Sequence, residues 1–316
     1  LAEGTVAVLA GGLSHERDIS LRSGRRLSVA LREQGLTVQE WDTDASLLSR
    51  LRDERPDAAV IALHGGEGEN GSVQTVLEML GVPFVGTSSE GCRRAWDKPI
   101  AKALVAENDH TTPDWVALPH STFRELGAQT VLDAMVDKLG LPLILKPDQG
   151  GSALGAQVVR EAGELPAAMV GSFAYGDAVL AERFVDGVEV AVTVVERDGG
   201  PEALPAVEIV PEGGVYDYTA RYTAGLTDFF APARLSDETA KAVGDLAVGA
   251  HRLLGLRDIS RTDAIVAADG SVHFLEVNSS PGLTETSTVP MAMEAAGTSL
   301  GVVFTDLVER AVRRGS

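Results

Sequence analysis

The stretch "SRTDAIVAADGSVHFLEVNSSPG", residues 260–282, is compatible with very few backbones. Two apolar runs flank Asp269-Gly270, a dipeptide that tolerates positive φ and so marks a tight hairpin. A two-residue turn pairs Ala268 with Ser271, and the register then sets Asp263 opposite Glu276 and Arg261 opposite Asn278. Side chains alternate along a strand, so all four share one face. Carboxylates facing each other across a ladder repel. A divalent cation would turn that repulsion into a chelate, and Asp263, Glu276 and Asn278 offer only oxygen, the donor that Mg²⁺ takes. Arg261 would add a fixed positive charge beside it. The alternative is a solvent-facing charged ribbon. Against it, Ala264, Ile265, Val266, Phe274, Leu275 and Val277 describe a buried sheet, where acids need partners.

The rest of the chain supplies the frame for that ribbon. Residues 1–96 alternate strands ("TVAVLAGG", "LTVQEWDT", "DAAVIALHGG", "VPFVGT") with helices, the pattern of a parallel sheet with helices on both faces. Ligand sites of such sheets lie at the carboxyl ends of the strands, where Gly11-Gly12, His64-Gly65-Gly66 and Gly86 fall. Residues 97–185 form a second unit with two helices, the strand–loop–strand "LPLILKPDQGGSALGAQVV", a further helix and the strand "AVLAERFV". Residues 186–316 form a third. There "VEVAVTVVE" and "ALPAVEIV" pair antiparallel, and a polar loop "PEGGVYDYTARYTAGLTD" without periodicity follows. Loops of that length are usually functional or disordered. A helix capped by Ser236, the ribbon and two last helices complete the chain.

Several other residues carry a chemical reading beside a plain one. Lys146 ends an apolar strand before a Gly-rich turn, whose N–H groups can cradle phosphate; a flexible hairpin with a surface lysine fits equally. Lys98 opens a helix just before Pro99, where an ammonium is electrostatically disfavoured unless an anion sits nearby; a surface lysine is the alternative. Glu182 and Glu189 flank a strand–turn–strand that can read a purine edge and ribose hydroxyls, or they are salt-bridged strand ends. Glu16 follows "GGLSH", with Ser14 or His15 as helix cap; it is either a helix-dipole partner or an anchor for an ammonium. His64 ends an apolar strand, where a hydrogen-bonded structural histidine is the common case. The glycines near Glu16 lack the G-x-G-x-x-G spacing, which disfavours a dinucleotide site.

Composition excludes some partners. The net charge of −19 argues against nucleic acid and anionic membrane surfaces as partners. No apolar run approaches the ~18 residues that span a bilayer. The first residues lack a signal-peptide pattern. The single cysteine, Cys92, cannot form an internal disulfide, which fits a cytoplasmic protein.

The blocks "LAGGLSHERDISLRSG", "ALHGGEGENG", "VGTSSEGCRRAWDK", "LKPDQGGSALG", "AERFVDGVE", "YDYTARY" and "SRTDAIV…FLEVNSSPGLTETSTVPMA", in this order, resemble the D-alanine–D-alanine ligases of the ATP-grasp superfamily over nearly the whole chain. The resemblance implies an N-terminal parallel α/β domain (1–96) followed by a two-lobed, α+β ATP-grasp fold, with a central lobe (97–185) and a C-terminal lobe bearing the metal site (186–316). It implies ATP-driven joining of two D-alanines through a D-alanyl phosphate to make D-Ala-D-Ala for peptidoglycan, in a homodimer. ATP would meet Lys98, Lys146, Glu182, Arg183, Phe184, Val185, Glu189 and Arg221. Two Mg²⁺ ions, for which Mn²⁺ can substitute, would be held by Asp263, Glu276 and Asn278. Glu16, linked to Ser152 and Tyr222, would hold the first substrate's ammonium near His64 and close a lid. Arg261 and Gly282 would stabilise the tetrahedral intermediate, and Ser287 with Thr288 would take the second substrate.

The chain also departs from the family pattern. Thr219 and Arg221 replace the Glu and Lys of "YDYEAKY", Glu285 and Thr286 replace a Ser-His pair, and Leu283 replaces Met. Tyr222 is kept, which favours an amide product. Two alternatives stay open: a ligase for another D-amino-acid pair, in antibiotic biosynthesis or resistance, and a catalytically silent ATP-binding module.

Overall fold

The computed structural model describes residues 4–223 and 225–315, and of Tyr222 the backbone alone. The chain opens with β1 (Thr5–Ala10), α1 (Arg17–Glu33), β2 (Thr37–Asp42), α2 (Leu47–Glu54), β3 (Ala58–Ile61), α3 (Ser72–Leu80), β4 (Phe84–Val85) and α4 (Ser89–Trp96). The four strands form the expected parallel sheet in the order β2-β1-β3-β4. β1 and β3 are buried almost throughout because helices cover both faces. α1 seats unusually close to β1. Its Gly24 faces Ala10, where a Cβ would come within 2.5 Å of the Ala10 Cβ. Its Ser20 accepts from Gly11 N (2.8 Å) and donates to Ala62 O (2.7 Å). Small residues on this helix face thus fix its N-terminus, and Glu16, above the strand ends.

Next come α5 (Lys98–Glu107), β5 (Trp115–Pro119), α6 (His120–Leu126), α7 (Ala128–Leu139), β6 (Leu143–Pro147), β7 (Gln157–Val159), α8 (Leu165–Phe173) and β8 (Ala178–Arg183). Their strands make an antiparallel sheet, β5-β8-β6-β7. It has an apolar cluster of its own, from Phe123, Leu132, Met135 and Leu139 to Leu145 and Met169.

The third sheet uses β9 (Gly187–Arg197), β10 (Gly200–Ala203), β11 (Val207–Pro211), α9 (Tyr218–Tyr222) beside it, β12 (Thr227–Phe230), α10 (Asp237–Leu253), β13 (Ile259–Ala267) and β14 (Val272–Asn278). The strand order is β12-β11-β9-β13-β14, with β10 on β9. α10 packs on this sheet, as does α5 from the preceding stretch. α11 (Thr288–Ala295) lies against β9 and β11, whereas α12 (Leu300–Arg314) returns to α1, β3 and β4. One apolar cluster therefore joins the first sheet (Val6, Val8, Val60) to the third (Val195, Val207, Ile259) through α11 and α12. Among the described residues no single helix is long and apolar enough to cross a membrane; α11 and α12 pass that test only as a pair bent by 99°.

Three local expectations need correction. The hairpin turn has three residues, not two: Ala267 N bonds Ser271 O (2.9 Å), and Gly270 takes φ +85°. That shifts the pairing by one, so Ala268 does not face Ser271. A bulge at Leu275 shifts it back, and Asp263 faces Glu276 and Arg261 faces Asn278 after all. The stretch around "YDYTARY" is not wholly irregular, because Asp217 caps the short α9 by accepting from Ala220 N (2.8 Å). Neither Ser14 nor His15 caps α1. Glu16 holds the N-cap position without a capping bond, and Ser14 Oγ instead donates to His64 O (2.6 Å).

Candidate active site

Two cavities meet on the cleft face of the third sheet. The first, about 410 Å³, lies between the second and third sheets. Lys98, Lys146, Glu182, Arg183, Phe184, Val185, Glu189, Arg221 and Glu276 all line it. The second, about 470 Å³, lies between the first and third sheets and is lined by Glu16, His64, Ser152, Arg261, Asn278, Gly282, Ser287 and Thr288. Ile209, Tyr216, Arg221 and Asp263 border both. The residues singled out in the sequence are thus brought together around one seam. The exception is Tyr222, whose side chain lies outside the described residues.

Cations quench the carboxylate pair at the seam. At an effective dielectric near 20, two charges ~4 Å apart repel by about 4 kcal/mol, too much to leave uncompensated. Arg261 grips buried Asp263 with both Nε (2.7 Å) and Nη2 (2.9 Å). Lys98 Nζ stands 3.7 Å from Glu276 and donates to Gly150 O (2.7 Å), tying the Gly-rich loop to the ribbon. Burial alone would raise Glu276, but Lys98, Lys146, Arg221 and Arg261 bring it down to about 2. Burial likewise pulls Lys98 below the ordinary ammonium range, against the pull of Glu276. Asn278 Oδ1 accepts from Ser280 N (2.8 Å).

This donor set suits a hard cation in kind and position. Asp263 and Glu276 are register partners on the cleft face, and each Asp263 oxygen has a second lone pair beyond its bond to Arg261. The set is two carboxylates and an amide. Among the described residues no three His, Cys, Asp or Glu side chains converge in metal-binding fashion.

In the first cavity a buried charge cluster backs the Gly-rich loop. Lys146 Nζ lies 2.5 Å from Glu182 Oε1. On the other side of that carboxylate stands Lys102, fully buried, its Nζ 2.9 Å from Oε2 at an angle outside hydrogen-bond geometry, so the contact is ionic. Sequence reasoning missed Lys102, although it stands one helical turn after Lys98. Glu189 has few compensating partners, and burial pushes its carboxyl up to about 7. Arg221 lies over the Tyr216 ring, 4.3 Å from its centroid, and its buried Nε lacks a hydrogen-bond partner.

In the second cavity Ser152, held at φ +55°, donates its hydroxyl to Glu16 across the seam between loop and helix. His64 is the hydrogen-bonded structural residue that its position suggested. Its Nδ1 faces Ser280 O (2.9 Å), which can only accept, so the proton sits there and Nε2 accepts from Ser23 Oγ (2.8 Å). Ser23 Oγ in turn accepts from Leu283 N (3.1 Å), so α1 holds the loop carrying Gly282. Ser287 Oγ accepts from Thr284 N (3.1 Å) in that loop and stands at the N-cap of α11, next to Thr288, whose buried hydroxyl has no hydrogen-bond partner among the described residues. Glu285 points away to Arg22 (3.2 Å) at the cavity mouth. Glu69 was also missed. It is buried beside Glu16, accepts from Gly65 N (2.9 Å), and is driven up to about 8 chiefly by burial and then by Glu16. Its only signal was an acid two residues after the Gly65-Gly66-Glu67 turn.

The chain is similar to known ligases of D-alanine. A family profile described as "D-ala D-ala ligase C-terminus" matches residues 104–313. A D-alanine–D-alanine ligase of Anaeromyxobacter sp. (strain K) is 42% identical over 305 residues, 96% of this chain and 94% of that protein. The crystal structure of D-alanine–D-alanine ligase from Bacillus anthracis complexed with ATP superposes with a TM-score of 0.82 at 27% identity, over 98% of this chain and 97% of that one. That of VanG D-Ala:D-Ser ligase from Enterococcus faecalis gives 0.83 at 26%, over 98% and 99%.

Proposed function

The chain belongs to the D-alanine–D-alanine ligase family, and from that premise we propose how its residues divide the work of the reaction. The enzyme joins two D-alanines with ATP, through a D-alanyl phosphate, to give D-Ala-D-Ala for peptidoglycan. The observation that carries the assignment of roles is the meeting of a lysine-lined cavity and a Glu16-lined cavity at Asp263.

ATP occupies the first cavity. Arg183, Phe184 and Val185 line the adenine end, Glu182 and Glu189 accept from base and ribose, and Lys98, Lys146 and Arg221 meet the phosphates. Asp263, Glu276 and Asn278 would hold Mg²⁺, two ions in this reading, with Mn²⁺ as substitute; when bound, the metal neutralises phosphate charge. Glu16, oriented by Ser152, receives the first D-alanine's ammonium and aims its carboxylate at the seam. Phosphorylation there makes a poor electrophile reactive. The second D-alanine, its carboxylate at Ser287 and Thr288, attacks the acyl carbon through its neutral amine; the acyl C–O bond breaks, inorganic phosphate leaves and the nitrogen sheds a proton. Arg261 and the Gly282 backbone offset the oxyanion that develops. His64 shapes this pocket by fixing Ser280 and, through Ser23, Leu283. The loop with Tyr222 and the Gly-rich loop close over the acyl phosphate and exclude water, since hydrolysis is the wasteful branch.

In this reading residues 1–96 supply the first-substrate anchor, 97–185 the nucleotide lid and 186–316 the metal strand. The family supports a homodimer, and the use of ATP supports a cytoplasmic setting. A second reading is favoured by Glu285, which pairs with Arg22 at the acceptor mouth: a different acceptor, such as D-serine.

ADP release measured with D-alanine alone, then with D-serine or D-lactate added, together with product mass, tests these readings. D-Ala-D-Ala from D-alanine alone is the expected result. A mixed product in preference would establish the second reading, and no turnover with any acceptor would mean a silent ATP-binding module. Chelation with EDTA should stop ADP release, and Mg²⁺ or Mn²⁺ should restore it.

A further inference from the structure

We infer that Lys102 is a positioning residue for the nucleotide's phosphates, acting by sharing the Glu182 carboxylate with Lys146. The inference rests on the reading that Lys146 meets phosphate. Lys102 is fully buried and lines neither large cavity, so it touches no substrate. It nevertheless sits where three parts of the molecule join. From α5, its Nζ reaches Glu182 Oε2 on β8 (2.9 Å) and Thr112 Oγ1 (2.5 Å). Thr112 Oγ1 donates to Phe274 O (2.8 Å) on β14, the strand of Glu276. On the far side of Glu182, Lys146 stands at 2.5 Å, at the cavity wall. A continuous polar path therefore runs from the ribbon backbone through Thr112, Lys102 and Glu182 to Lys146.

The charge count explains why the second lysine matters. One buried carboxylate beside one lysine is neutral, and Lys146 would be held as a closed pair with nothing left for an incoming anion. With Lys102 on the opposite oxygen, Glu182 is shared: burial disfavours the Lys102 ammonium, the Glu182 carboxylate holds it, and Lys146 is no longer that carboxylate's sole cation. Lys102 lines neither large cavity, so the charge that this sharing leaves uncommitted is presented by Lys146. The path to Phe274 O also fixes where Lys146 stands relative to Glu276, across two sheets that do not share an apolar core.

The test is equilibrium binding of ADP and of adenosine, which lacks phosphate, to the whole protein. Lys102→Met keeps the volume and removes the charge. It should weaken ADP about tenfold or more and adenosine, which feels only the change at Glu182, by a distinctly smaller factor of about threefold at most. Thr112→Val, which keeps the charge but unties it, should weaken ADP by a smaller factor in the same selective way, and it decides the matter if Lys102→Met does not fold. Equal loss for ADP and adenosine would mean general loosening and would overturn the inference, as would no loss for either. Lys146→Ala separates the two levels. If it weakens ADP while Lys102→Met and Thr112→Val do not, the role of Lys102 falls and the nucleotide reading stands. If Lys146→Ala leaves ADP binding unchanged, the phosphate assignment of Lys146 fails and this inference with it.

Discussion

Arg261 holds both oxygens of Asp263, and in the proposed reading their outer lone pairs serve a cation. Asp263→Asn or Glu276→Gln should cut ADP release by roughly 10²-fold or more, while circular dichroism still reports the native fold; near-normal turnover in either would refute the metal assignment. Glu69 gives a second expectation at this scale. In the fold it keeps its proton to about pH 8, against an ordinary value of 4.5. The native state therefore binds more protons than the unfolded state across that window, and stability falls as pH rises from 4.5 to 8. Glu276, depressed to about 2, acts only in acid, where stability is lost as pH falls below its ordinary value of 4.5. Glu69→Gln should flatten the decline in melting temperature between pH 6 and 8; an unchanged slope would show that other groups cause it. Residues of the ribbon and the Gly-rich loop were legible because their type was anomalous for their place: acids in an apolar sheet, lysines at strand and helix ends. Lys102 and Glu69 were not, since a lysine within a helix and an acid in a glycine turn are ordinary until folding buries them.

Among elements, the β13–β14 ribbon shows why a correct pairing can rest on an incorrect turn. Buried positions on β14 are Phe274 and Val277, three apart where strict alternation needs two. That spacing was visible in the sequence, and it is the mark of the bulge that puts both Leu275 and Glu276 on the cleft face. The turn was less legible, because Asp-Gly serves both the two-residue turn and the three-residue turn with glycine at positive φ. α1 offers a test of positioning by packing. Gly24→Ala would drive a methyl into Ala10, costing about 1–3 kcal/mol and lifting the helix that carries Glu16 and Ser23. A several-fold rise in KM for D-alanine with KM for ATP unchanged is expected. If both KM values move together, α1 does not set the amino-acid cavity alone.

At the scale of the molecule, sheets one and three share a core and sheet two keeps its own, so the cavity lined by Lys98 and Lys146 lies between two separately packed bodies. Asp258 ties the larger body together. It is wholly buried, accepts from Gly86 N (2.8 Å), and is gripped by Arg314 at 2.9 and 3.0 Å. Arg314→Ala would leave that carboxylate with Gly86 N and the more distant cation of Arg257 (3.7 Å) and should cost about 3 kcal/mol, read as a lower urea midpoint at unchanged slope. None of this was legible in sequence, since the partners are far apart along the chain. The return of α12 to the first sheet has a consequence for biogenesis. As the ribosome delivers the chain, the parallel sheet is made with α1 long before Val303, Phe304 and Leu307, which must cover the same side. Until those residues have left the ribosome the sheet shows a bare greasy flank, so its core cannot close before the rest of the fold has been made.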